Sequence, residues 1–235
     1  MRGRPAGGCS SGGFPRQAEA RRPQDRMGSR RMGMIERNGF WWPSSDDWCW
    51  RVIHQELPDV DRAVSFCRGH AVAIQAGGNV GVWAAHLART FAHVETAEPM
   101  ADNYACLQRN VPSNVNHRRA CFGAKPGAVA MEAVTGNAGA HYVREGGDTP
   151  VITIDAMELH ACDLICLDVE GYEPFALQGA EDTIRRFRPV IMFEEKGLSE
   201  RYFGIPRGAC ESWVLGLGLG YEVKDRVRKD VILAC

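Results

Sequence analysis

An apolar run from Ala71 to Ala76 ends in glycines and passes directly into a segment with Val80, Trp83, Ala84, Leu87 and Phe91 at helical spacing. That pattern predicts a buried strand, a tight turn and a helix, the opening half of a βαβ unit. Ala92 to Ala97 reads as a second strand closed by Glu98-Pro99, and a helix with Tyr104 and Leu107 on one face runs to Asn110-Val111-Pro112. Val115 to Phe122 predicts a third strand, Gly127 to Val134 a shorter one, and the polar, glycine-rich stretch Gly136 to Asp148 a loop. Asp163 to Val169 is a core strand with an acid near its C-terminal end. Glu170-Gly171-Tyr172-Glu173 then turns the chain into a helix carrying Phe175, Leu177, Ile184 and Phe187. Pro189 to Phe193 is a fifth strand that again ends in acids, Glu194 and Glu195. A short helix around Cys210 to Leu215 and strands near Tyr221 to Val223 and Val231 to Ala234 complete the series. Strands alternating with helices predict an α/β domain.

Ahead of this domain the pattern is different. Trp41, Trp42, Trp48 and Trp50 crowd together, interleaved with Pro43, Ser44, Ser45, Asp46 and Asp47, and Val52 to Cys67 has helical spacing with a break at Pro58. Residues 34–70 are therefore expected to form a cap or lid whose rings pack on the domain, and indoles also suit the flat face of a sugar or another ring. Residues 1–33 are rich in Gly, Arg, Pro and Ser, with too few aliphatic side chains to fold, and are expected to be a disordered arm. Residues 71–235 are the expected α/β domain.

Composition narrows the class. Hydrophobic residues make up 45% and charged residues 24% of the 235, as in ordinary water-soluble domains. No apolar run approaches the roughly 20 residues that cross a bilayer, and the N-terminal arginines precede no apolar signal core, so a cytoplasmic protein is expected. Net charge is −1 overall, but nine arginines against Glu19, Asp25 and Glu36 make residues 1–37 basic and leave the remainder acidic. The nine cysteines are scattered and contain no C-x-x-C pair, so reduced, buried thiols are expected rather than a zinc site or a disulfide framework.

The chemistry gathers at strand ends. Gly77 and Gly81 allow a sharp bend and the close approach of a ligand to backbone N–H groups. Glu98 lies 21 residues beyond Gly77, where an acid at the tip of a second strand accepts hydrogen bonds from ribose hydroxyls. Buried strands seldom carry a carboxylate without a partner, so Asp168, with Glu170 just after it, is a site candidate at the edge where open α/β sheets bind ligands. His141, in the glycine-rich stretch, is a further candidate proton acceptor.

These residues carry a resemblance to the FkbM family of S-adenosylmethionine-dependent methyltransferases, from about Ala71 to the C-terminus. The family's D-x-G-x-N-x-G is matched by Gln75-Ala76-Gly77-Gly78-Asn79-Val80-Gly81, its Glu-Pro by Glu98-Pro99, and its L-x-x-N by Leu107 and Asn110. Its D-x-E-G-x-E after D-L-I is matched by Asp163-Leu164-Ile165 and Asp168-Val169-Glu170-Gly171-Tyr172-Glu173. The resemblance implies a class I methyltransferase fold, Rossmann-like and doubly wound, with a mostly parallel seven-stranded sheet and an antiparallel last strand. It implies S-adenosyl-L-methionine held by Gln75, Gly77, Gly78, Asn79, Gly81, Glu98, Pro99 and Asp168. It also implies O-methylation of a sugar or other small metabolite, with Asp168, Glu170 or His141 accepting the hydroxyl proton. No metal is assigned; Glu194 with Asp168 is the alternative pair for a divalent ion. One departure stands out: the usual acid of the first motif is Gln75, which hydrogen-bonds but balances no positive charge.

Three rivals are weaker. A nicotinamide oxidoreductase lacks its G-x-G-x-x-G here. A nucleic-acid methyltransferase is disfavoured by the acidic folded part, which suits no phosphate backbone. A cofactor-binding protein that has lost catalysis rests on Gln75 and on the Trp-rich entry.

Overall fold

The structure is a computed structural model that describes residues 33–235. Except for Gly33, the arm expected over residues 1–33 lies outside the described residues.

The described chain opens with a hairpin, β1 (Met34–Arg37) and β2 (Phe40–Pro43). Asn38 and Gly39 join them, both at positive φ, 53° and 77°, as a tight two-residue hairpin turn favours. Two short helices follow, α1 (Cys49–Val52) and α2 (Leu57–Val64), separated by a 3₁₀ turn at Ile53–Glu56. The break expected at Pro58 thus falls before it: proline sits in the first turn of α2, where its missing N–H costs nothing.

The domain then alternates as expected. Its elements are β3 (Val72–Ala76), α3 (Val82–Leu87), β4 (His93–Ala97), α4 (Ala101–Asn110) and β5 (Val115–Arg118). A second sheet interrupts the series with β6 (Cys121–Phe122), β7 (Gly127–Glu132) and β8 (Tyr142–Ile152). The main series resumes with β9 (Leu164–Leu167), α5 (Glu173–Gln178), α6 (Glu181–Phe187), β10 (Val190–Glu194), α7 (Leu198–Phe203) and α8 (Ala209–Gly216). It ends in the hairpin β11 (Glu222–Val227) and β12 (Asp230–Ala234).

The main sheet has seven strands in the order β11-β12-β10-β9-β3-β4-β5. All pairings from β10 to β5 are parallel, whereas β12, the last strand in sequence, runs antiparallel to both neighbours. Its central strands are buried on both faces. Ala73, Leu164, Cys166 and Met192 pack toward Trp42, Val60, Trp83 and Leu87. Ile74, Ile165, Leu167 and Ile191 pack toward Leu177, Ile184, Cys210 and Val214. Helices on both faces explain why these strands read as near-continuous apolar runs. Among the described residues no helix is long and apolar enough to cross a membrane, and all eight cysteines are free.

Two expectations are corrected. The predicted strand Val115 to Phe122 is two strands in different sheets, β5 beside β4 and β6 parallel to β8. The predicted loop Gly136 to Asp148 is strand from Tyr142 onward, because β8 pairs antiparallel with β7 through an irregularity at Val129/Ala130. Gly146 and Gly147, at φ of 79° and 92°, form that irregularity. A Cβ on Gly147 would lie 2.6 Å from the Ala130 Cα, so these glycines let a long strand bulge rather than end.

Candidate functional site

The strand order reverses between β3 and β9, and a cleft opens at the C-terminal ends of those strands. That is where doubly wound sheets bind ligands. The cleft encloses about 1140 Å³, part of it open to solvent.

Its floor is the turn after β3. Gly77 has φ of +83°, and a Cβ there would sit 1.9 Å from the backbone oxygen of Asp168. Glycine is required because the neighbouring strand's exit loop crosses at contact distance. The Gly78 N–H donates to the Ala97 carbonyl at 2.8 Å, which ties the turn to the end of β4. Asn79 stands in the left-handed region at φ of 47°, and its buried Oδ1 has no hydrogen-bond partner. Its Nδ2 donates to the Cys49 sulfur at 3.2 Å.

Glu98, at the tip of β4, is 5% exposed. Its Oε2 accepts the Asn79 N–H at 2.7 Å and its Oε1 accepts the Met100 N–H at 2.8 Å. Burial nevertheless pushes its pKa up to about 8. Gln75 is 2% exposed and internally satisfied. Its Nε2 donates to the Gly77 carbonyl at 2.8 Å, and its Oε1 accepts from the Thr96 hydroxyl at 2.7 Å.

One wall comes from the N-terminal segment and the loop before β8. The Asp46 carboxylate, 1% exposed, joins them. Its Oδ1 accepts N–H groups of Cys49 at 3.1 Å and Ala138 at 3.0 Å, and its Oδ2 accepts that of Trp50 at 3.0 Å. Trp48, on the same stretch, lines the cleft with 57% of its surface exposed.

The opposite wall is charged. Asp168, Glu170 and Glu194 bring carboxylate oxygens within 4.8 Å of one another. Two ammonium groups lie among them. Lys196 Nζ is 2.7 Å from Glu194 and 3.3 Å from Glu170, while Lys229 Nζ is 2.5 Å from Glu194, 2.9 Å from Glu56 and 3.8 Å from Asp168. Burial, reinforced by Asp168, raises Glu170 to about 7 and Glu194 to about 9. The surrounding acids raise both lysines and so keep them protonated, despite burial acting the other way.

The turn after Asp168 is held by a different acid. Glu173, buried at the start of α5, accepts the Val169 N–H at 3.0 Å and the Gly171 N–H at 3.3 Å through Oε1. Glu170 adopts φ of 52° there.

The cleft therefore brings together Gln75, Gly77, Gly78, Asn79, Glu98, Pro99, His141, Asp168 and Glu170. Gly81 does not line it; with φ of +94° it starts α3, where a Cβ would press on Val111. His141 faces the cleft with its Nδ1 occupied, accepting the Val134 N–H at 2.9 Å, and burial lowers its pKa. Sequence reasoning missed Glu56, Lys196 and Lys229. Lys196 carries a faint signal, following the acids at the end of a strand. Glu56 and Lys229 carry none, because only the tertiary fold brings them to the cleft.

Comparison with known proteins follows the same lines. The Methyltransferase FkbM domain matches residues 75–209. A crystal structure of methyltransferase FkbM from Methylobacillus flagellatus KT is similar, with a TM-score of 0.52 and 19% identity over 72% of this chain. The alignment covers 44% of that structure's chain, so this chain spans less than half of its length. The DhpI–SAH complex aligns with a TM-score of 0.43 and 12% identity, over 80% of this chain and 88% of that one. No curated protein gives a significant match. The domain match covers more than half of the 235 residues, and with it the chain belongs to the FkbM methyltransferase family.

Proposed function

We propose that the chain is an S-adenosyl-L-methionine-dependent methyltransferase acting on a hydroxyl of a sugar or another small metabolite. The observation that carries this reading is the convergence, in one cleft at the sheet's switch point, of the Gly77–Asn79 turn, the Glu98 carboxylate and the carboxylates Asp168 and Glu170. The donor set fits the cofactor. Glu98 retains acceptor capacity for ribose hydroxyls beyond its two backbone bonds, and the orphaned Asn79 Oδ1 offers a buried acceptor to a polar group of the ligand. When bound, S-adenosyl-L-methionine supplies a methyl group on a positively charged sulfur.

The chain's own residues supply the rest. Asp168 orients the acceptor hydroxyl and takes its proton at a carboxylate oxygen, with Glu170 as the neighbouring acceptor. Neither lysine serves as base, since both stay protonated among the acids. His141 is the weaker candidate, because a proton on Nδ1 would displace the Val134 N–H. The acidic wall favours a neutral polyhydroxyl acceptor over a nucleic acid.

A second reading, binding without catalysis, draws on Gln75, whose amide is spent entirely within the protein. Calorimetry with S-adenosyl-L-methionine, followed by mass spectrometry of candidate alcohols after incubation, separates the two. Binding with no mass gain of one methyl group on any hydroxyl compound would favour the second. Absence of binding would remove both.

A further inference from the structure

Lys229 and Glu56 lie outside residues 75–209, the part that matches the family domain, yet both line the cleft. We infer that Lys229 is a positioning residue for the proton-accepting carboxylates, carried into the cleft by the β11–β12 turn and locked there by the N-terminal segment. This rests on the methyl-transfer reading above.

Three observations support it. The turn is held in an unusual shape: Arg228 stands at φ of +53°, a region that long side chains seldom occupy. Its guanidinium is fixed on the N-terminal segment, donating from Nε to the buried Asp59 at 2.7 Å and from Nη2 to the Gln55 carbonyl at 2.6 Å. Farther along the same hairpin, Asp225 pairs with Arg62 of α2 at 2.6 Å. The next residue after Arg228 is thereby aimed inward, and Lys229 reaches acids from three separate elements.

Those acids frame the electrostatics. Glu56 approaches from the 3₁₀ turn, Asp168 and Glu170 from the loop after β9, and Glu194 from the end of β10. Asp230, adjacent in sequence and buried, is a further carboxylate, and Lys196 is the second cation. Five carboxylates thus share two ammonium groups. Removing one of the two leaves the carboxylates with a single counter-charge. An opposite charge within about 4–6 Å lowers a carboxylate pKa by about 1–3 units, so its loss acts directly on proton acceptance. The group titrates as a unit, and the acid limb of activity reports its macroscopic ionisation. Burial of Lys229 among acids, which raises its own pKa, is the reciprocal of the same interaction.

The test compares Lys229→Met and Lys229→Arg in the full chain by two readouts. The first is the pH dependence of kcat/KM for methyl transfer. The second is the titration of Asp and Glu side-chain carboxylate carbons by ¹³C NMR, which needs no turnover. In Lys229→Met the acid limb and the perturbed carboxylate titrations should both move up by about 1–3 pH units, and Lys229→Arg should restore them. If Lys229→Met does not fold, Lys229→Gln, which keeps a donor for Glu194, takes its place. An unmoved limb with unmoved carboxylates, whatever the loss in rate, would overturn the inference. Shifted carboxylates in a protein whose wild type transfers no methyl group would instead uphold the role of Lys229 and sink the methyl-transfer reading.

Discussion

The Asn79 backbone N–H donates to Glu98 Oε2 at 2.7 Å, so the acid at the tip of β4 holds the turn at the end of β3. Glu98 therefore has two duties, one to the fold and one, on our proposal, to the ribose. Glu98→Ala should weaken S-adenosyl-L-methionine binding by about 1–3 kcal/mol, the range for leaving buried polar groups without a partner. It should also lower the melting temperature, because the Asn79 and Met100 N–H groups lose their partner. Calorimetry and thermal denaturation on the same sample separate the two. A lower melting temperature with unchanged affinity leaves Glu98 only its structural duty.

Stability should fall as pH rises from about 4 to about 9, the span between the ionisation of several buried acids in the unfolded chain and in the fold. Burial raises Glu98 and Glu173 to about 8, Glu194 to about 9, and Glu170 and Asp230 to about 7. Unfolded, these groups titrate near about 4. Between the two values the folded chain binds more protons than the unfolded one, so raising pH favours unfolding. Burial lowers His54 and His141 below the usual histidine value, which acts in the opposite sense and only on the acid side. A melting temperature that is flat or rising between pH 7 and 9 would show that these carboxylates are already ionised in the fold.

The amide of Gln75 is matched at both ends, which changes what an acid would do there. Aspartate is shorter and carries no donor, so Gln75→Asp strands the Gly77 carbonyl and puts a charge at a position 2% exposed. An unpaired buried polar group costs about 1–3 kcal/mol, so the variant should melt at a lower temperature than wild type. Cofactor affinity is the second measurement. A tighter site in a protein of undiminished stability would mean that the charge reaches the ligand and that the amide contacts are dispensable.

Much of this was legible in the chain itself. Runs such as Val72–Ala76 and Leu164–Leu167 are buried on both faces, so their apolar character alone marks them as central strands. The acids at strand ends were legible for the same reason, since a charge closing an apolar strand needs an explanation. Local signals failed where pairing decides. Gly146 and Gly147 read as loop because a bulge and a loop use the same residue, and only the Ala130 backbone opposite distinguishes them. The Asn38-Gly39 turn joins β1 to β2, a pairing that the surrounding tryptophans do not signal. Lys229 is 61 residues from Asp168 in sequence and reaches it only through the placement of β12 beside β10.

The last prediction concerns Asp168. An acid at the end of an apolar strand has a structural explanation available: it caps the following turn by accepting backbone N–H groups. That task belongs to Glu173 here, whose Oε1 accepts the N–H groups of Val169 and Gly171. The ammonium of Lys229 lies 3.8 Å from Asp168, too long for a direct hydrogen bond. Its carboxylate is thus spared from holding the loop, while its backbone is fixed by donation from its N–H to the Ala76 carbonyl at 3.2 Å. A group placed this way can take a proton without loosening the turn that follows it. General-base assistance is typically worth about 10²–10⁴-fold, and Asp168→Asn keeps the shape while removing the charge. The variant should lose turnover by a factor in that range with a nearly unchanged melting temperature. Glu173→Ala, by contrast, should lower the melting temperature, because the Val169 and Gly171 N–H groups lose their shared acceptor. Turnover within about threefold of wild type in a well-folded Asp168→Asn protein, well below the range expected of a lost base, would remove Asp168 from the chemistry. The proton would then have to pass to Glu170, and Glu170→Gln would be expected to show the loss instead.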